Sequence, residues 1–307
     1  MKDILKVEHL RKNIGKACII PDLSFVVKEQ EIVGFLGPNG SGKSTTLKCI
    51  CGLYHTNNGN IEVNGHSIVK ERQKALAHMG VSIEHPTLYP ELSGLDHLKM
   101  MANWRGIDKN RVKEMVEFSG LGIEIKKATG KYSMGMKMRL MLALTIMHRP
   151  KLVILDEPTN GLDPQAVFKL RQQMEFIRQE GSSILFSSHQ LGEVEKIVDR
   201  VIFINKGNKL YDGPLPEDLL SEAAYGILVH EREEARKHIQ NISEVNLLPE
   251  QDDDTWIYFT CKEEKALGKL LMALSKENIY VLDIRKEHND LESYYKKVYG
   301  DKYEGAI

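Results

Sequence analysis

The chain has 307 residues, with 42% hydrophobic residues, 28% charged residues and a net charge of −1. That length suggests about two domains at roughly 150 residues each, both long enough to bury a core. The near-zero charge argues against a nucleic-acid binder or a polybasic membrane anchor, and no apolar run reaches the roughly 18–20 residues that span a bilayer.

The opening MKDILKVEHL is charged and lacks the apolar stretch of a signal peptide, so the chain is expected in the cytosol, with any membrane role supplied by a partner. Cys18, Cys49, Cys51 and Cys261 show no zinc spacing and read as buried, reduced thiols.

Residues 31–36 (EIVGFL) read as a buried strand running into a glycine-rich turn, and residues 43–53 as a helix. Between them, Gly37-Pro38-Asn39-Gly40-Ser41-Gly42-Lys43-Ser44 fits G-x-x-x-x-G-K-[ST], between the strand and helix that motif requires. Backbone N–H groups and a helix N-terminus hold a triphosphate without a counter-ion on every oxygen, and glycines let the main chain approach it. The pattern predicts Gly37 through Thr45 as the ATP-binding segment, Lys43 on the β- and γ-phosphates and the Ser44 hydroxyl on Mg²⁺.

Residues 79–83 read as a short strand, and 94–104 and 110–119 as amphipathic helices of a helical insertion over about 85–150. The apolar run 152–155 ends in Asp156-Glu157. A carboxylate at a strand tip suits hydrated Mg²⁺, which assigns Asp156 to the metal. Glu157, one residue on, is placed to orient and deprotonate the attacking water. Another apolar run, 182–186, reads as a central strand, and 201–204 and 209–211 form a hairpin around Lys206-Gly207-Asn208. Strands alternating with helices predict a mainly parallel α/β sheet.

A boundary falls near Gly213-Pro214-Leu215-Pro216, dividing the chain into 1–215 and 216–307. Beyond it, strands at 227–230, 245–248, 256–261 and 280–284 and helices at 233–239 and 263–275 give a βαββαβ order, a small α+β domain of ferredoxin-like type. An acidic turn at 251–254 and a last helix at 291–298 complete this reading. No catalytic cluster is visible here, and His230, His238 and His288 lack metal spacing.

With both phosphate motifs in place, the sequence resembles the ABC ATPase family over about residues 3–215. Tyr132-Ser133-Met134-Gly135-Met136 stands where that family has its LSGGQ signature, Gly161-Leu162-Asp163 resembles its D-loop, and His189 its switch histidine. The resemblance implies a P-loop NTPase fold with a mixed sheet, a RecA-like core and a helical subdomain. It also implies two ATPase subunits packed head to tail. ATP on one subunit's Lys43 would be covered by Ser133 and Gly135 of the other, at a helix start that suits an anion. His189 would contact the γ-phosphate in cis, and Asp163 would bridge the two sites. The implied partners are membrane-spanning permease subunits, a second ATPase subunit and no nucleic acid, at the cytoplasmic face of the membrane.

Three positions depart from the family pattern. Glu84 replaces the Q-loop glutamine, which would touch Mg²⁺ and link to the permease. Met134 and Met136 replace a glycine and a glutamine of the signature. Ile14 stands at the adenine-stacking aromatic, so apolar contact replaces stacking and base selectivity is expected to weaken. The stretch from Gly80 to Pro90, the Tyr-Ser-Met-Gly-Met-Lys signature and the extra C-terminal domain resemble the bacitracin and lantibiotic exporter or immunity branch, whose cargo is an amphipathic antimicrobial peptide. The alternatives are a soluble, non-transport ABC ATPase, against which a single phosphate loop and the absence of a long heptad run argue, and a non-hydrolysing nucleotide-gated regulator, against which the retained Glu157 argues.

Overall fold

A computed structural model describes residues 2–83, 87–188, 191–215, 223–242, 244–248, 255–261 and 264–287. The chain divides into two compact units, meeting between Pro214 and Leu215.

The first unit begins with a long antiparallel hairpin, β1 (Asp3–Ile14) and β2 (Ala17–Lys28), which the sequence pattern does not announce. Its register slips between Val7 and Leu10, where His9 adopts φ 48°. That bulge breaks the apolar alternation from which strands are read. After β3 (Ile32–Leu36) comes α1 (Lys43–Ile50), shorter than the expected 43–53. Gly52 at φ 66° ends it, with Gly52 N–H donating to Cys49 O at 3.0 Å and Leu53 N–H to Lys48 O at 2.9 Å. β4 (Asn58–Val63), β5 (His66–Ser67), α2 (Arg72–Ala77) and β6 (Met79–Ser82) follow.

The helical part comprises α3 (Gly94–Arg105), α4 (Lys109–Ser119) and α5 (Met134–Ile146). Ser93 and Asp96 form a capping box on α3, Asp108 caps α4, and Gly106 and Gly120 end the two helices in left-handed conformations. Buried Arg111 reaches from α4 to the last carbonyls of α5, donating to Ile146 O at 3.1 Å and Met147 O at 3.2 Å. Those carbonyls have no intrahelical partner, and a cation suits that end of the helix dipole. The chain then runs through β7 (Leu152–Leu155), α6 (Pro164–Gln179), β8 (Ser183–Ser188), α7 (Leu191–Val194), β9 (Arg200–Asn205) and β10 (Asn208–Pro214).

Two sheets result. One is antiparallel, in the order β2-β1-β4-β5; the other is β10-β9-β3-β8-β7-β6, parallel except for β10. β3, β7 and β8 are buried at every position, which explains their continuous apolar runs. The core unites Leu5, Leu23 and Phe25 of the first sheet with Phe35, Ile154 and Ile202 of the second and Leu47 of α1. β8 extends beyond the apolar 182–186 to Ser188, because Ser187 and Ser188 remain paired with Phe35 and Leu36. Cys18 is exposed, against expectation. Cys49 and Cys51 are buried, and burial pushes both thiols up, Cys49 to about 11.

The second unit is α+β: β11 (Ala223–Val229), α8 (Arg232–Gln240), β12 (Val245–Leu247), β13 (Trp256–Cys261), α9 (Glu264–Lys276) and β14 (Val281–Glu287). Its antiparallel sheet runs β12-β13-β11-β14. Ile227, Ile257 and Phe259 meet Ala235 and Ile239 of α8 and Ala266, Leu270 and Leu274 of α9 in a separate core. The i, i+4 and i+8 spacing of those α9 residues gives the helix one apolar face. The expected turn at 251–254 and helix at 291–298 lie outside the described residues.

Candidate active site

In the larger sheet the strand register aligns the carboxyl ends of four parallel strands. Leu36 pairs with Ser188, Leu155 with Phe186 and Ser82 with Leu155. The chain leaves these ends at Gly37 and at Asp156, so both acid and phosphate motifs open on one edge, the edge where open α/β sheets bind ligands.

Gly42, at φ 105°, is the N-cap of α1 and offers no side-chain cap; no acid stands in the first turn. The N–H groups of that turn are thereby left for an anion. A Cβ on Gly37 would lie 2.4 Å from Ile204 O and 2.5 Å from Ser41 Oγ, so only glycine fits there. The Lys43 ammonium, 6% exposed, donates to Gly37 O at 2.7 Å and Pro38 O at 3.4 Å, curling over the loop it follows.

Ser44 lies one residue into α1, and its hydroxyl donates to Asp156 Oδ1 at 3.3 Å across 112 residues of sequence. Asp156 is 9% exposed, and its N–H is held by Ser82 O at 2.9 Å. A hydroxyl and a carboxylate are the hard oxygen donors that Mg²⁺ selects, so this pair fits that metal. Glu157 adopts φ 49°, a left-handed conformation rare outside glycine and asparagine, and brings Oε1 to 3.5 Å from Lys43 Nζ. Strain of this kind costs about 1–3 kcal/mol and gathers at functional sites. Ser187 of β8, which sequence reasoning missed, joins the cluster: its hydroxyl donates to Asp156 Oδ1 at 2.6 Å and accepts from Glu157 N at 2.9 Å.

Ser133, exposed, caps α5 by accepting from Met136 N at 3.3 Å, and Met134 is exposed beside it. Tyr132 turns inward, with its hydroxyl on Glu124 O at 2.8 Å, so its side chain is a support of the helical part. A Cβ on Gly135 would stand 3.0 Å from the Ala166 Cβ of α6, and one on Gly161 4.0 Å from Met134 Cγ. Signature and D-loop segments are thus packed together, with Gly135 allowing α5 and α6 to approach. Asp163 caps α6, accepting from Ala166 N at 2.8 Å. Ile14 is 47% exposed at the tip of the β1–β2 hairpin; farther down the hairpin, Ile19 O lies 3.7 Å from a Cβ placed on Gly42. The hairpin therefore passes beside the phosphate loop. Glu84 and His189 lie outside the described residues.

Away from this cluster, a groove of about 430 Å³ is lined by residues of β6, α3 and α5. Met79, Val81, Met100, Trp104, Met141 and His148 line it, and Trp104 is 70% exposed. Among the described residues no helix is long and apolar enough to cross a membrane, and no His/Cys/Asp/Glu cluster has metal-site geometry.

The ABC transporter family model matches residues 20–160, and an AAA-domain model (putative AbiEii toxin, type IV TA system) matches residues 127–195. An uncharacterized ABC transporter ATP-binding protein of Bacillus subtilis (strain 168) is 43% identical over 214 residues, 69% of this chain and 70% of that protein. The bacitracin transport ATP-binding protein BcrA of Bacillus licheniformis is 34% identical over 306 residues, 98% of each chain. A solved ATP-binding subunit of an ABC transporter matches with a TM-score of 0.64 and 30% identity, over 70% of this chain and 91% of the other. A phosphate loop, an acidic strand tip and a capped signature helix on one scaffold, matched to a relative along nearly its whole length, lead to one conclusion: the chain belongs to the ABC transporter family and is the ATP-binding, ATP-hydrolysing subunit of such a transporter.

Proposed function

We propose that this subunit works as half of an ATP-clamped pair at the cytoplasmic face of a membrane, driving a separate permease that exports amphipathic antimicrobial peptides. One observation carries the catalytic part: two sequence-distant pairs meet at the strand ends, Lys43 with Glu157 at 3.5 Å and Ser44 with Asp156 at 3.3 Å.

The residues divide the work. Gly37 through Thr45 cradle the triphosphate, and Lys43 moves from the loop carbonyls to the β- and γ-phosphates. Ser44 and Asp156 hold Mg²⁺, which when bound neutralises charge building on the transferred phosphoryl oxygens. Glu157 orients the attacking water and accepts its proton. Ser133 and Gly135 of a facing subunit close over the γ-phosphate, and loss of that phosphate on hydrolysis weakens the clamp. Asp163 links the two sites, and His189 and Glu84 take the switch and Q-loop positions. Ile14 touches the base.

The groove beside β6 is the surface we assign to the permease. Its methionines adapt to an apolar partner helix, and its exposed tryptophan is the residue type that anchors interfaces. The peptide cargo rests on the bacitracin transport relative, which matches both units.

The test is a pull-down from detergent-solubilised membranes using the full chain with Glu157→Gln and ATP bound. Recovery of a membrane-spanning protein together with two ATPase subunits supports the motor reading. Recovery of a single ATPase subunit with no membrane protein, under conditions where ATP is retained, overturns it.

A further inference from the structure

Ser187 has no part in the assignments above, yet its contacts converge on them. It is the fifth residue of β8, fully buried, and paired with Phe35 of β3. Its hydroxyl makes two bonds at once. It donates to Asp156 Oδ1 at 2.6 Å, the same oxygen that Ser44 reaches at 3.3 Å, and it accepts from the main-chain N–H of Glu157 at 2.9 Å. A hydroxyl has one proton and two lone pairs, so this arrangement commits the proton to Asp156 and a lone pair to Glu157.

Both recipients need the help. A carboxylate turns about its terminal torsion unless something fixes it, and the 2.6 Å bond has the length of a charge-assisted contact. Glu157 sits at φ 49°, where the chain must be held against its ordinary preference. The preceding residue is tied by Asp156 N–H donating to Ser82 O, and the Glu157 carbonyl itself accepts from Asn160 N–H at 3.1 Å. Ser187 adds a tie at the amide of the kinked residue itself.

We infer that Ser187 is a positioning residue for ATP hydrolysis. Its hydroxyl sets the Asp156 carboxylate for Mg²⁺ and fixes the Glu157 backbone so that the carboxylate faces the phosphate crevice. The inference rests on the roles proposed for Asp156 and Glu157. It also ties β8, whose chain continues to position 189, to the metal and to the base through one side chain.

A buried serine filling a strand is the competing explanation, and the same strand holds the control. Ser183, at the other end of β8, is equally buried, and its hydroxyl accepts from Gln30 N at 3.0 Å. A serine that merely satisfied the backbone would behave like Ser183.

The experiment compares Ser187→Ala, Ser187→Thr, Ser187→Val and Ser183→Ala in the full chain. It reads kcat, KM for ATP, Mg²⁺-dependent binding of a fluorescent ATP analogue, and melting temperature. Partners that orient metal ligands typically cost about 10–100-fold in metal affinity or activity when removed, so Ser187→Ala is expected to lose that much in kcat or in the Mg²⁺ midpoint, with metal-free nucleotide binding retained. Ser187→Thr keeps the hydroxyl and recovers most of the loss. Ser187→Val has the same shape without it and does not, which decides the matter even if the alanine variant fails to fold. Ser183→Ala is expected to lower the melting temperature alone. Equal kcat and equal Mg²⁺ midpoints in the threonine and valine variants overturn the inference. An Asp156→Asn variant with an unaltered Mg²⁺ midpoint overturns instead the metal assignment on which it rests.

Discussion

Lys43 and Glu157 face each other across the strand ends, with Nζ 3.5 Å from Oε1 and the lysine 6% exposed against 21% for the glutamate. Opposite charges at that distance attract by a few kcal/mol at the effective dielectric of a protein surface. The same carboxylate that would serve as base therefore competes with phosphate for the lysine, and repels phosphate besides.

Replacing Glu157 by glutamine removes that competition while leaving shape unchanged. ATP affinity is expected to rise several-fold as phosphate release falls by more than about a hundredfold, since positioned acid–base groups contribute roughly 10²–10⁴ in rate. Equilibrium binding of a fluorescent ATP analogue and steady-state phosphate release check the two halves separately. Weaker binding in the variant would remove the competition argument.

Gly37 and Gly40 make opposite demands of the loop. A methyl group on Gly37 meets Ile204 O and Ser41 Oγ at 2.4 and 2.5 Å, whereas Gly40 has open space but φ 79°. Gly37→Ala must displace backbone of β9, so its ATP binding is expected to fall by more than tenfold. Gly40→Ala meets no protein atom and bears left-handed strain of about 1 kcal/mol, so it is expected to lose less ATP affinity than Gly37→Ala. Titration of both variants with nucleotide separates clash from strain, and equal losses would contradict the geometry.

What could be read in advance follows from where the information sits. The phosphate loop is legible because glycine at 37 and 42, lysine at 43 and serine at 44 answer to local geometry at a strand–helix junction. Asp156 is legible because a carboxylate directly after an apolar strand suits hydrated Mg²⁺ once a phosphate loop stands upstream. The β1–β2 hairpin is not, since its bulge at His9 scrambles the alternation and its pairing is fixed only by the core it closes. Ser187 could not be found, because a serine inside a buried strand becomes informative only when Asp156 and Glu157, some thirty residues earlier, are laid beside it by the β7–β8 pairing. The groove beside β6 is hidden for the same reason, being assembled from a strand and two helices far apart in sequence. Tyr132 shows the converse: its motif position points outward to a partner, while its ring packs inward.

Ile14, half exposed on the hairpin tip, offers a base an apolar surface without a ring to stack on. Stacking of an aromatic on a base is worth roughly 1–3 kcal/mol and tolerates any base. Ile14→Tyr is accordingly expected to tighten ATP and GTP alike by about tenfold, with the ratio between them modest before and after. Parallel KM measurements with the two nucleotides check this, and a preference above a hundredfold in the unaltered chain would contradict the placement of the base on Ile14.

The wall of the β6 groove also carries a pH-sensitive group. His148 Nε2 is 2.9 Å from Met79 O and donates to it as a neutral ring. Burial holds its pKa below the ordinary histidine value, with Arg105 and then Arg111 pushing the same way against the Met79 hydrogen bond. His78 is lowered too, by burial and by His66, Lys2 and Lys151. A histidine takes its proton near pH 6.5 in the unfolded chain. The folded chain takes it only at lower pH. Between the two values the unfolded state binds more protons, so stability rises with pH there; it is fully present above about 6.5 and drains away as pH falls through the folded value. The melting temperature of the first unit is therefore expected to drop from pH 7 towards pH 5.5. Carboxylates lowered by their own partners, such as Asp96 beside Ser93 and Asp108 beside the α4 amides, act in a more acidic window and are common to parent and variant. His148→Gln retains an N–H for Met79 O and has nothing to titrate, so its melting curve should fall less steeply over this range. Identical slopes for the two proteins would remove His148 from the account.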